Sequence, residues 1–207
     1  MNSFSTCESF HTPLTPVWDI GPKYTFLRSI GVGSYGFVCE AVENATQRHV
    51  AIKKYTDILN DAILCRRVLR EIEILFSLDH PFIVKPLDLL IRNDISDIYL
   101  VMELSQSDLG KVIKSPIYLE KRQVKLLMYR LLLGLDYLHS YGIVHRDIKP
   151  GNILINRDCI IRICDFSLSR TIGGLNTNQF DSDLAMKKNP LLKKSSESYS
   201  SKSLINF

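Results

Sequence analysis

The sequence predicts an α+β chain of two lobes, a β-sheet lobe carrying one helix followed by a helical lobe, and three observations point there. Short β-rich runs occupy residues 24–103 and are broken by one amphipathic segment over about 61–78. A polar linker follows, Leu104-Ser105-Gln106-Ser107-Asp108. A longer segment over 120–141 then sets Val124, Leu127, Met128, Leu131, Leu135 and Leu138 at helical spacing, a stripe expected to be core.

Taken in order, residues 1–19 are polar, with Thr12-Pro13 and Thr15-Pro16, and read as an extended leader. An apolar run over 24–30 leads into Gly31-Val32-Gly33-Ser34-Tyr35-Gly36-Phe37-Val38, and 38–42 alternates, so a hairpin with glycine at its turn is expected. Val50-Ala51-Ile52-Lys53 is the next strand. In the 61–78 helix the buried face is expected at Val68, Ile72 and Leu75, with Leu69 and Ile74 beside it and Glu71 within. Asp79-His80-Pro81 ends that helix, and strands over 82–90 and 98–103 flank an Arg92-Asn93-Asp94 turn. Gly142 stops the second helix. Strands over 153–155 and 160–163 then bracket Asn156-Arg157-Asp158 and lay Asp165 beside the preceding loop. Beyond Arg170 the chain turns rich in Ser, Asn and Lys, and 171–207 reads as a disordered tail.

Composition excludes more than it identifies. Hydrophobic residues make up 45% and charged residues 23%, as in ordinary globular domains. A net charge of +4 with scattered basic residues leaves no nucleic-acid footprint. The five cysteines include no C-x-x-C pair, which fits reduced thiols and a cytoplasmic or nuclear location. No apolar run reaches membrane-spanning length and the N-terminal residues lack the signal-peptide order, so no membrane partner is expected.

The chemistry concentrates in His145-Arg146-Asp147-Ile148-Lys149-Pro150-Gly151-Asn152 and the following Asp165-Phe166-Ser167. Phosphoryl transfer needs a carboxylate to receive a hydroxyl proton, a cation near the migrating charge and oxygen ligands for Mg²⁺. Asp147, Lys149 and the pair Asn152 and Asp165 supply those types. Glycines at 31, 33 and 36 let backbone N–H groups approach phosphates, and a strand rather than a helix follows them, which argues against a dinucleotide fold. Lys53 suits a grip on the α and β phosphates, and small Ala51 leaves space for an adenine ring.

These motifs, in this order over roughly 20–170, resemble the eukaryotic protein kinases. Gly21-Pro22-Lys23-Tyr24, Val38-Cys39, Ile52-Lys53-Lys54, Leu69-Arg70-Glu71-Ile72 and Ser107-Asp108-Leu109 are similar to the mitogen-activated protein kinase group. The cyclin-dependent kinases are the near alternative. The resemblance implies a two-lobed kinase fold with a complete N-terminal sheet lobe and a partial helical C-terminal lobe. It implies ATP and Mg²⁺ as cofactors, Ser/Thr of protein substrates with a following proline as acceptors, and an upstream activating kinase. Under it Ile30, Gly31, Val32, Gly33, Ser34, Tyr35, Gly36 and Val38 would cover ATP, and Lys53, paired with Glu71, would hold its phosphates. Met102 would be the gatekeeper, Glu103 and Ser105 the hinge, Asp108 the ribose contact and Leu154 the floor under adenine. Asp147 would orient the substrate hydroxyl, Lys149 steady the γ-phosphate, and Asn152 and Asp165 hold Mg²⁺. Arg67, Arg70 and Arg146 match positions that reach a phosphorylated activation loop, and Leu75, His145 and Phe166 match an apolar spine.

Two departures qualify the resemblance. Ser167 stands where the family has glycine, and the added side chain is expected to hinder backbone flipping rather than metal binding. Neither Ala-Pro-Glu nor Thr-x-Tyr follows Asp165, so the substrate platform is expected to be partial and transfer by the 207-residue chain weak. The 120–141 helix should then carry an apolar face short of partners. A non-catalytic ATP-binding scaffold is the reading from another class.

Overall fold

The computed structural model describes residues 16–33, 36–56, 58–92 and 97–172. The leader up to residue 15, Ser34 and Tyr35 of the glycine turn, Asn93 and Asp94 of the later turn, and the tail from 173 lie outside the described residues.

Five antiparallel strands form the N-terminal sheet: β1 (Tyr24–Gly33), β2 (Gly36–Glu43), β3 (Arg48–Tyr55), β4 (Pro86–Arg92) and β5 (Asp97–Glu103), in the order β1-β2-β3-β5-β4. Alternation sorts the side chains of β3. Val50 and Ile52 join Cys39, Ala41, Tyr99 and Val101 in one buried cluster, whereas Tyr55 packs with Ile98 and Leu100 in the cluster shared with the first helix. Ala51, Lys53 and Tyr55 therefore share the helix-facing side.

That helix, α1 (Ala62–Ser77), starts where Asp61 accepts N–H bonds from Ile63 at 2.7 Å and Leu64 at 3.1 Å. Val68, Glu71, Ile72, Ile74 and Leu75 are buried, so a carboxylate lies within an apolar face, while Leu69 is exposed.

The second half is built from β6 (Ser107–Asp108), α2 (Leu109–Lys114), α3 (Lys121–Ser140), β7 (Ile143–Val144), β8 (Ile153–Ile155), β9 (Ile161–Ile163) and β10 (Arg170–Thr171). Gly142 has φ +66° and ends α3 in the left-handed region that glycine tolerates. Gly134 lets α3 approach β9, since a Cβ there would meet Ile163 Cδ1 at 3.0 Å.

Four expectations are corrected. The strand expected over 82–90 begins only at Pro86; Phe82 and Val84 instead bond to β9, through Ile163 N–H to Phe82 O at 2.9 Å and Val84 N–H to Ile163 O at 3.0 Å. The linker is not wholly irregular, because Ser107 and Asp108 pair with Ile155 and Leu154, and α2 follows at once. Leu69 lies on the solvent side of α1. The stripe on α3 is core only in part: Leu127 and Leu138 are buried and Leu131 and Leu135 pack against the core, but Val124 and Met128 are 44% and 50% exposed. Helical spacing fixes which residues share a face, whereas burial depends on a partner, and β7 and β9 meet this helix without covering those positions.

Three passages of chain join the halves, one between α1 and Phe82, one at Lys85 and one after Glu103, and the Glu103 N–H bonds Lys85 O at 3.1 Å. The Glu103 carboxylate is also held by Arg48 at 2.8 Å and by Arg162 at 3.1 Å, a bridge from β3 to β9.

Candidate active site

A cleft of about 380 Å³ opens between the sheet and the second half. Its sheet side carries Ile30, Gly31, Val32, Val38, Ala51 and Lys53, with Glu71 behind. Register explains the grouping: Val38 pairs with Lys53, and Ala51 pairs with Met102, so strand neighbours become cleft neighbours. Met102, Glu103 and Ser105 form the connecting wall, and Lys149, Asn152, Leu154 and Asp165 the far side. Val84, Leu104, Gly151 and Cys164 also line it and were not assigned from sequence. Val84 gave no signal, since only its pairing to β9 brings it there.

Gly36 and Gly31 serve different ends. At Gly36 φ is +152° and a Cβ would overlap the Lys54 carbonyl, so the hairpin cannot close with another residue. At Gly31 a Cβ would meet nothing within 4 Å, which leaves open space over the cleft. Gly33 pairs with Gly36 across the turn.

Lys53 Nζ is 2.7 Å from Glu71 Oε1 and 3.8 Å from Asp165 Oδ1, with its side chain 9% exposed. Burial pushes the ammonium pKa down, but the Glu71 and Asp165 carboxylates outweigh it and the net shift is upward, so Lys53 stays charged. Burial presses Glu71 toward its neutral form; with an ammonium at 2.7 Å, the ion pair is the form we assign. Lys53 Nζ also lies 4.9 Å over the ring of Tyr55. The Tyr55 hydroxyl and Glu71 Oε2 are both buried without a hydrogen-bond partner among the described residues.

The loop after β7 is wired from within. Asp147 Oδ2 accepts from Lys149 Nζ at 2.8 Å and from Asn152 Nδ2 at 2.8 Å, and Asn152 Nδ2 also reaches Asp147 O at 2.9 Å. The Lys149 hydrogen bond, opposed by partial burial and aided by Asn152, holds the Asp147 carboxyl below its usual range. With its amide nitrogen committed to Asp147, Asn152 has Oδ1 left for a cation. The Cys164 N–H bonds Asn152 O at 3.0 Å, which fixes Asp165 next to that amide.

His145 anchors the loop from below. Its Nε2 faces Cys164 O at 3.0 Å and its Nδ1 accepts the Asp147 N–H at 3.2 Å, a pattern only the neutral imidazole satisfies. Burial lowers its pKa in the same sense. Phe166 is fully buried and meets His145 edge-on at 4.9 Å, and Leu75 is buried in the same cluster.

Of the predicted residues, Gly36, Asp108 and Asp147 lie outside the cleft lining. Asp147 touches it through Lys149 and Asn152. Asp108 caps α2, accepting the Lys111 N–H at 2.8 Å, and pairs with Lys111 Nζ at 3.1 Å. Ser34 and Tyr35 fall outside the described residues. Arg146 donates to Leu168 O at 2.6 Å. Arg170 is held below its ordinary pKa by burial, then by Arg70, Arg146 and Arg67, which therefore share one neighbourhood with it.

The family model for the protein kinase domain matches residues 24–203. The chain belongs to this family. It is 40% identical over 167 residues to Mitogen-activated protein kinase 4 of Oryza sativa subsp. japonica, covering 79% of this chain and 45% of that protein. It is 40% identical over 167 residues to Mitogen-activated protein kinase 14 of Arabidopsis thaliana, covering 79% and 46%. With Serine/threonine kinase NLK of Caenorhabditis elegans it shares 41% over 170 residues, covering 81% of this chain and 26% of that one. The chain thus spans about half the length of the plant relatives it matches.

Proposed function

We propose that this kinase-family chain is an ATP-dependent serine/threonine protein kinase of the mitogen-activated type, acting in intracellular signalling. The observation that carries this reading is the shared cleft: Lys53, Asn152 and Asp165 line it, and Asp147 is bonded to Asn152 at its edge.

The residues present fit a magnesium nucleotide. Ile30, Val38, Ala51, Met102 and Leu154 offer apolar walls for a flat base, and the open space at Gly31 admits phosphates against backbone. Lys53 is charged and fixed, as a phosphate partner must be. Asn152 Oδ1 and the Asp165 carboxylate are hard oxygen donors, and two protein ligands suit Mg²⁺, which completes its shell with phosphate oxygens and water. When bound, the ion neutralises charge on those phosphates.

In the transfer itself, the substrate hydroxyl oxygen forms a bond to the γ-phosphorus while the bond to the β,γ-bridging oxygen breaks, and ADP leaves with that electron pair. The hydroxyl proton passes to Asp147. Its Oδ2 is occupied by Lys149 and Asn152, so Oδ1 is the oxygen left to receive it. A carboxylate kept below its usual pKa is a weak base, suited to orienting the hydroxyl and taking its proton late. Most of the acceleration then comes from positioning and fixed charge.

The relatives fit protein acceptors and an upstream kinase; the finer proposals are proline after the target residue, an upstream kinase whose product docks near Arg67, Arg70 and Arg146, which share one neighbourhood, and, from cysteines without a C-x-x-C pair, a cytoplasmic or nuclear site of action. Transfer of γ-labelled phosphate to a generic basic protein, with Asp147→Asn alongside, tests the central reading. Label that disappears with the substitution supports it. Equal thermal stabilisation of both proteins by Mg²⁺-ATP with no label in either would favour a binding role instead.

A further inference from the structure

The residue after Phe166 carries a hydroxyl where a glycine was expected. Ser167 is 3% exposed, and its Oγ donates to Asp165 Oδ1 at 2.8 Å. The acceptor is the same oxygen that faces Lys53 Nζ at 3.8 Å. Asp165 itself adopts φ +64°, a left-handed backbone that a non-glycine residue keeps only when its surroundings hold it there. Ser167 has no such φ, so its side chain is accommodated without backbone strain. The rest of the segment is pinned nearby: Phe166 is fully buried, the Ser169 N–H bonds Phe166 O at 3.0 Å, and Ser169 Oγ bonds His145 O at 3.3 Å.

We propose that Ser167 is a positioning residue whose hydroxyl clamps Asp165 Oδ1, orienting the carboxylate so that Oδ2 is the oxygen presented to a cation in the cleft. The inference rests on the reading of Asp165 as a cation ligand. A glycine at this place can leave the backbone mobile but cannot restrain the carboxylate. The serine does the reverse: it removes a rotational freedom that cation binding would otherwise have to freeze.

The experiment measures ADP affinity of the full chain by titration calorimetry, with Mg²⁺ and with chelator, for the unsubstituted protein, Ser167→Ala, Ser167→Gly and Asp165→Asn. The expected result is that both Ser167 variants reduce the Mg²⁺-dependent gain in affinity about five- to tenfold, within the range of one ordinary intramolecular hydrogen bond, and leave chelator affinity unchanged. Equal losses with and without Mg²⁺ would mean a structural role only and would overturn the proposal. An unchanged Mg²⁺ gain in both variants, with Asp165→Asn still abolishing it, would overturn the proposal and spare the cation-ligand reading. If Asp165→Asn keeps the full Mg²⁺ gain, that reading fails, and this inference with it.

Discussion

Glu71→Gln isolates the buried pair that fixes Lys53. The substitution keeps the shape of the side chain and removes its charge, leaving an ammonium in a site where its side chain is 9% exposed. Removing one member of a buried pair costs about 3–5 kcal/mol, because the survivor is left uncompensated. Asp165 at 3.8 Å offers Lys53 a second carboxylate, so the lower end, about 3 kcal/mol, is expected. Lys53→Met combined with Glu71→Leu removes both charges and should lie within about 1 kcal/mol of the parent. Urea unfolding followed by far-UV circular dichroism, without nucleotide or Mg²⁺, measures both, since a bound ligand would add its own stabilisation. The same geometry makes Asp165 a reserve partner: Glu71→Gln with Asp165→Asn should cost more than the sum of the two alone. A loss below about 1 kcal/mol for Glu71→Gln, or a double-charge removal as damaging as the single, would refute the argument.

Four further outcomes are expected. Gly36→Ala should destabilise by more than about 1 kcal/mol, since its Cβ would overlap the Lys54 carbonyl at a positive φ; thermal unfolding reads this, and an unchanged midpoint would count against the hairpin geometry. Asp61→Ala should cost about 1 kcal/mol through loss of the α1 cap, measured by urea titration against Asp61→Asn, which keeps the acceptor. His145 binds its proton less readily folded than unfolded, so its contribution to stability is complete above the ordinary value of 6.5 and drains away as pH falls below it; urea midpoints between pH 7.5 and 5 should drop less in His145→Phe than in the parent. Tyr55→Phe removes a buried hydroxyl that lacks a partner, as Glu71 Oε2 does, and should change stability by less than about 1 kcal/mol; a larger loss would show the two atoms bonded to each other in solution.

Local patterns carried much of the fold. The α1 stripe and its limits were legible because a single apolar face with a polar cap at Asp61 is a local signal. Lys53, Asn152 and Asp165 were legible as cleft residues because their motifs are contiguous and ordered. What escaped was set by partners distant in sequence. Phe82–Val84 reads as strand but bonds to β9, some eighty residues on, and no local pattern reports that. Val124 and Met128 have the spacing of core residues, and nothing among the described residues buries them. The cap that Asp108 gives the short α2 through Oδ1 is the ordinary use of Asp at such a position, and it stands beside the ribose contact expected of it. The Ser167 hydroxyl could be read only as a departure from glycine, since its bond to Asp165 depends on a left-handed backbone that one residue letter does not disclose.

The bond from the Glu103 amide to the Lys85 carbonyl ties two of the three passages of chain between sheet and helices. Tied at one point, those two strings share a pivot instead of bending independently. Any swing of the jaws should then turn near that knot, and slow deuterium uptake at Glu103 would mark the axle, whereas uptake as fast as at an unbonded loop amide would argue against it.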